Sequence, residues 1–148
     1  MWFKILLAVA LCTPCYGQST QRFAEAIARA EGFYTKGSLP ARLHNAGDLK
    51  GCCYFRQVGN AKGGWAKFRT DADGWNALNH QLEKIVLGES RCYSVDMTLR
   101  EMGRKYAGTR RWSDNVSHSL GVTPETALFE ILNVPPVVVI PPEPIKLD

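Results

Sequence analysis

The run Ala28-Arg29-Ala30-Glu31-Gly32-Phe33-Tyr34, followed a short loop later by Asn45-Ala46-Gly47-Asp48-Leu49-Lys50, decides how the chain is read. Upstream, Phe23, Ile27 and Ala30 recur at helical spacing, and Ser19 or Thr20 offers an N-cap. A first helix is therefore expected from Ser19 to Glu31, stopped by Gly32. Glu31 falls four residues after Ile27 and eight after Phe23, which projects its carboxyl from the apolar side near the helix C-terminus. Desolvation by aromatic neighbours such as Phe33 and Tyr34, and the partial negative charge of the helix end, both disfavour its ionised form. The expectation is a carboxyl that keeps its proton near neutral pH, the property required of a general acid.

Working outward, Tyr34 to Pro40 is rich in turn formers and leads into His44 to Leu49, so this stretch reads as a loop. Leu49 to Val58 and Trp65 to Arg69 flank the glycine-rich run Gly59 to Gly64, a pattern that predicts a small β-hairpin. Thr70 with Asp73 resembles a helix start, and Trp75, Leu78, Leu82 and Ile85 form one apolar face that ends at Gly88. Thr98 and Glu101 repeat the capping pattern ahead of Leu99, Met102 and Tyr106. A further helix carries Trp112, Val116 and Leu120 up to Gly121. Thr123-Pro124 predicts a last helix from Glu125 to Leu132. The fold class is thus α+β, predominantly α, a helical domain with a small β-hairpin. The tail 134–148 is proline-rich and reads as an extended segment.

The chain has 148 residues, of which 45% are hydrophobic and 22% charged, enough for one small domain and too few for two. Lys and Arg number 18 against 14 Asp and Glu, a balance short of that of a nucleic-acid-binding protein. Lys4 followed by the apolar run Ile5 to Cys12, then Pro14 and small residues, reads as a signal peptide over 1–17 cleaved before Gln18. Residues 18–133 would then form the exported domain, periplasmic or secreted, with no membrane-spanning stretch after cleavage. Export leaves Cys52, Cys53 and Cys92. One disulfide joining Cys92 to either Cys52 or Cys53 is expected in an oxidising compartment. The cysteines and His44, His80 and His118 lack metal-ligand spacing, so neither a metal nor an organic cofactor is expected.

The quoted runs, with Ser38-Leu39-Pro40-Ala41-Arg42 between them, resemble small lysozyme-like proteins of bacteria and their phages. In those proteins Ala-Glu-Gly is followed by a turn near Pro-x-Arg and then by Asn-x-Gly-Asn/Asp-Leu-Arg. The likeness continues through Phe68-Arg69-Thr70, Gly74-Trp75, Leu78, Gln81, Thr98-Leu99-Arg100, Tyr106-Ala107, Asn115-Val116 and Leu120-Gly121-Val122. It departs at Ala46, which replaces a frequent proline, and at Asp48, where asparagine is equally common. The resemblance implies a helical lysozyme-like fold and cleavage of the β-1,4 bond between N-acetylmuramic acid and N-acetylglucosamine in peptidoglycan. It carries over Glu31 as the catalytic acid and puts the Tyr106 hydroxyl beside it.

If Glu31 acts alone, first as acid and then as base, the reaction expected is that of a lytic transglycosylase, in which the sugar's own 6-hydroxyl attacks. A second carboxylate at Asp48 would instead permit hydrolysis by a muramidase. A third reading is a catalytically silent wall-binding or structural component of a virion or secretion apparatus. Substrate contacts are expected at Tyr34, Asn45, Trp65, Trp112 and Asn115, with the two tryptophans offering flat faces for sugar stacking. Lys62, Lys67, Arg69, Arg104, Lys105, Arg110 and Arg111 would attract a polymer bearing carboxylates.

Overall fold

The computed structural model describes residues 13–135. Positions 1–12 of the expected signal peptide and 136–148 of the proline-rich tail lie outside the described residues. The order of elements is α1 (Thr13–Ala30), α2 (Leu39–Arg42), β1 (Gln57–Asn60), β2 (Ala66–Phe68), α3 (Asp71–Val86), α4 (Leu99–Tyr106), α5 (Arg110–Leu120) and α6 (Leu128–Ile131). The chain is mainly helical, with a two-stranded antiparallel sheet. Among the described residues no helix is long and apolar enough to cross a membrane.

Helix α1 is the hub, packing on α5 along one side and on α3 along another, while α4 packs on α5. Phe23 and Ile27 are fully buried, and with Leu78, Leu82, Ile85, Leu99, Met102, Val116 and Leu128 they make one continuous core. The apolar faces expected for α1, α3, α4 and α5 therefore all point inward. The caps form where the sequence places them. Thr70 Oγ1 accepts from the Asp73 amide, Thr98 and Glu101 close a reciprocal capping box, and Gly121 ends α5 at φ 71°.

Four expectations are corrected. Within the described residues helix α1 already runs from Thr13, upstream of the expected start at Ser19. The expected cleavage point before Gln18 thus lies within the helix. The loop after Tyr34 contains α2, started by Ser38 Oγ accepting from the Ala41 amide with Pro40 in the first turn. The hairpin is much shorter than expected, because Gly51, Cys53 and Arg56 take positive φ and break the extended backbone before Gln57. Gly59 and Asn60 belong to β1 rather than to the connection, opposite Lys67 and Ala66. The last helix shrinks to α6, since Thr123–Thr126 closes a turn and Ala127 bridges to Thr98, leaving Pro124 outside any helix.

The loop from Leu43 to Leu49 is pressed between the sheet and α3. Gly74 makes that approach achievable: a Cβ there would meet the His44 carbonyl oxygen at 1.8 Å. Asn45 is completely buried, and its amide holds the loop by donating to the carbonyls of Leu49 and Ala66 and accepting from the Leu49 N–H.

Candidate active site

Helix α1 ends in a motif that fixes Glu31. The Gly32 amide bonds to the Arg29 carbonyl and the Phe33 amide to the Ala28 carbonyl, with Gly32 at φ 77°, the pattern of a Schellman cap. Glu31 is the capping residue, and its side chain emerges at the junction of α1 and α5. There the buried Trp112 donates its indole N–H to Glu31 Oε1 at 2.6 Å. Trp112 is itself stacked on Tyr106, with ring centroids 4.9 Å apart. No other hydrogen bond to the Glu31 carboxyl exists among the described residues, so Oε2 remains available to a ligand.

Glu31 opens into a cleft of about 930 Å³, shared with Asp48, Lys50, Tyr54, Trp65 and Tyr106. Burial pushes the Glu31 carboxyl up to about 7; the Trp112 N–H acts the other way and the nearby Asp48 charge adds to the rise. Asp48 is raised as well, chiefly by burial, against the pull of the Trp65 N–H and the Lys50 ammonium. Its Oδ2 accepts from the Trp65 indole at 2.8 Å, while its buried Oδ1 has no hydrogen-bond partner. An unsatisfied acceptor of this kind suits a ligand N–H or O–H. The Tyr106 hydroxyl donates to the Gly47 carbonyl, and burial pushes its titration well above the usual tyrosine range, so it stays a neutral donor. The arrangement can deliver a proton from Glu31 beside a second carboxylate, inside a partly desolvated groove with an indole on its wall.

The structure brings Glu31, Asp48, Tyr106 and Trp65 together, and separates the other expected residues from them. Trp112 is 4% exposed, so it offers no stacking face and serves as the partner of Glu31. Asn45 spends its amide on the backbone. Tyr34 is turned away from the cleft, its hydroxyl donating to Glu25 Oε2 at 2.7 Å, and it lines a separate groove between α1 and α3 with Trp75. The desolvation of Glu31 therefore comes from its position against α5 and not from Tyr34. Asn115 is exposed on α5 and does not line the cleft. Of the basic residues expected to draw a polymer, only Lys105 lines the cleft; Lys50, Lys84 and Arg91, not singled out from sequence, line it too. Cys52, Cys53 and Cys92 are exposed free thiols, so the expected disulfide to Cys92 is not formed. The adjacent Cys53 thiol contacts the Cys52 sulfur at 3.0 Å, and Cys92 lies on the connection between α3 and α4.

No protein family matches the chain, and neither the curated proteins nor the solved structures contain a match to it.

Proposed function

We propose that the protein is a lysozyme-like glycosidase that cleaves the β-1,4 bond between N-acetylmuramic acid and N-acetylglucosamine in peptidoglycan, as a lytic transglycosylase. The observation that carries the reading is Glu31, a carboxyl with a pKa of about 7 at the wall of an open cleft, anchored through one oxygen and free at the other. The order of motifs around Glu31 and Asn45 to Lys50 adds the resemblance stated above.

In this reading Glu31 Oε2 carries the proton and gives it to the glycosidic oxygen as the C1–O bond breaks. The carboxylate so formed accepts the proton of the muramyl 6-hydroxyl as that oxygen bonds to C1, closing a 1,6-anhydro ring and restoring the acid. No water is consumed. Asp48, in its carboxylate form, would stabilise positive charge developing at C1, and its unpartnered Oδ1 would accept a donor of the sugar. Trp65, held by Asp48 and capped by Lys50 at 4.2 Å from its ring centroid, offers an apolar edge for a pyranose.

Asp48 in the same cleft favours one other reading, a muramidase in which this second carboxylate assists attack by water. Digestion of purified peptidoglycan in ¹⁸O-water decides between them. Anhydromuramyl ends without label are expected; reducing ends carrying ¹⁸O would replace the transglycosylase by the hydrolase. Loss of all product with Glu31→Gln, wall binding retained, is expected of either enzyme. No product from the native protein on any wall would leave a binding component and refute both. Export to the periplasm or medium, and assembly with a virion or secretion apparatus, belong to the same proposal.

A further inference from the structure

Four cations line the cleft, and they are not equivalent. Lys50 lies over the Trp65 ring, and the Lys105 Nζ donates to the Cys92 carbonyl at 3.0 Å, which ties α4 to the loop that follows α3. Tyr93 from that loop packs on Tyr106 of α4, so the end of α3, the loop and α4 form one continuous wall. Lys84 and Arg91 stand on this wall with neither an ion pair nor a side-chain hydrogen bond among the described residues. Elsewhere Arg29, Arg56 and Arg100 each have a carboxylate within 4.0 Å. The cleft's carboxylates are Glu31, Asp48 and Glu89, and with Glu31 protonated the cations outnumber the remaining anions. Uncompensated cations beside a groove attract and orient anionic ligands.

We infer that the wall carrying Lys84, Arg91 and Lys105 is a carboxylate-binding subsite, which makes the cleft selective for glycan strands with acidic substituents over neutral strands of the same sugars. The inference rests on the glycan-cleaving reading and adds to it which chemical feature of the polymer is recognised. A strand whose scissile bond lies at Glu31 hangs its substituents from the neighbouring sugars, beside the bond. The carboxylates of peptide stems then fall to Lys84 and Arg91, which have no other ion-pair partner among the described residues. Lys105, already bound to a carbonyl, holds the loop in place and contributes charge.

The test measures equilibrium binding of the Glu31→Gln protein, so that it does not depend on turnover. Four soluble ligands are used: peptide-bearing strands, the same strands with carboxylates capped as amides, amidase-stripped strands that keep only lactyl carboxylates, and a neutral N-acetylglucosamine hexamer. Tighter binding of peptide-bearing strands than of capped strands or hexamer is expected, and the advantage should shrink as salt is raised. Lys84→Gln and Arg91→Gln should each reduce that advantage by roughly two- to five-fold, the range for partly exposed ion pairs. Lys84→Arg should restore it, which excludes a folding defect. Stripped strands binding as well as peptide-bearing ones would move recognition to the lactyl group and overturn the assignment to stems. Equal binding of capped and uncapped strands, or variants that retain the full preference, would overturn the subsite altogether. Failure of the native protein to release any product refutes the enzyme and leaves this binding result standing on its own.

Discussion

The Trp112 indole N–H donates to Oε1 of Glu31 at 2.6 Å, joining α5 to the carboxyl just past the end of α1, 81 positions earlier in the chain. The bond stabilises the ionised form, yet burial outweighs it and the carboxyl still titrates at about 7. Activity that needs protonated Glu31 should therefore fall as pH rises through about 7. Trp112→Phe removes the donor and moves this descending limb upward, by about one unit if the bond is worth ~1.5 kcal/mol. A pH–rate profile of the two proteins checks both statements; a limb that moves downward would contradict the role given to Trp112.

Glu31 has an opposite consequence for stability. A carboxyl whose folded pKa is raised contributes fully below its unfolded pKa, near 4.5, and that contribution is lost as pH rises to about 7. Glu31→Gln keeps the shape and cannot ionise. It should be more stable than the native protein at pH 8, by about 1–2 kcal/mol after allowance for partial solvation, with the difference vanishing near pH 4. Urea unfolding at the two pH values measures it.

Asp48 acts on Glu31 through its charge. Asp48→Asn should lower the Glu31 titration and shift the descending limb toward acid by about one unit or less. Under the transglycosylase reading anhydro products persist with a reduced rate, whereas complete loss of turnover would favour hydrolysis. Product identification together with the pH profile separates the effects.

Asn45 is a structural residue in a loop that frames the cleft. Asn45→Ala removes the partner of three backbone groups, two of them carbonyls already out of solvent, and should destabilise by about 3 kcal/mol or more. A sugar-binding role would instead raise KM at unchanged stability. Thermal unfolding beside steady-state kinetics tells them apart.

Gly74→Ala should be among the most damaging single substitutions in α3, because the added carbon meets a backbone oxygen that no side-chain rotation can clear. A loss of about 4 kcal/mol or outright failure to fold is expected, with the loop of Asn45 the first segment released. Hydrogen exchange at the Leu49 and Ala66 amides monitors it.

Features that depend on neighbouring residues were legible in the sequence. Thr70, Thr98 and Gly121 bound their helices as their chemistry dictates, and the position of Glu31 follows from its spacing to Ile27 and Phe23. What escaped depends on distant packing. Trp112 looks like an open aromatic until α1 docks on α5, and the Asn45 amide finds Ala66, 21 residues away, only when the sheet folds over it. Positive φ at Cys53 and Arg56 bends the chain at residues that carry no glycine signal, so the extended run expected from Leu49 breaks before Gln57. Lys84 and Arg91 carry no local signal of their place, since nothing in the neighbouring residues says that α3 and its following loop border the groove.

Glu31 owes its unusual titration to the docking of α1 against α5, two segments far apart in the chain. Before they meet, it is an ordinary glutamate that has already given up its proton at neutral pH. Assembly of the tertiary structure thus arms the side chain, and a copy that has not yet folded carries no loaded acid.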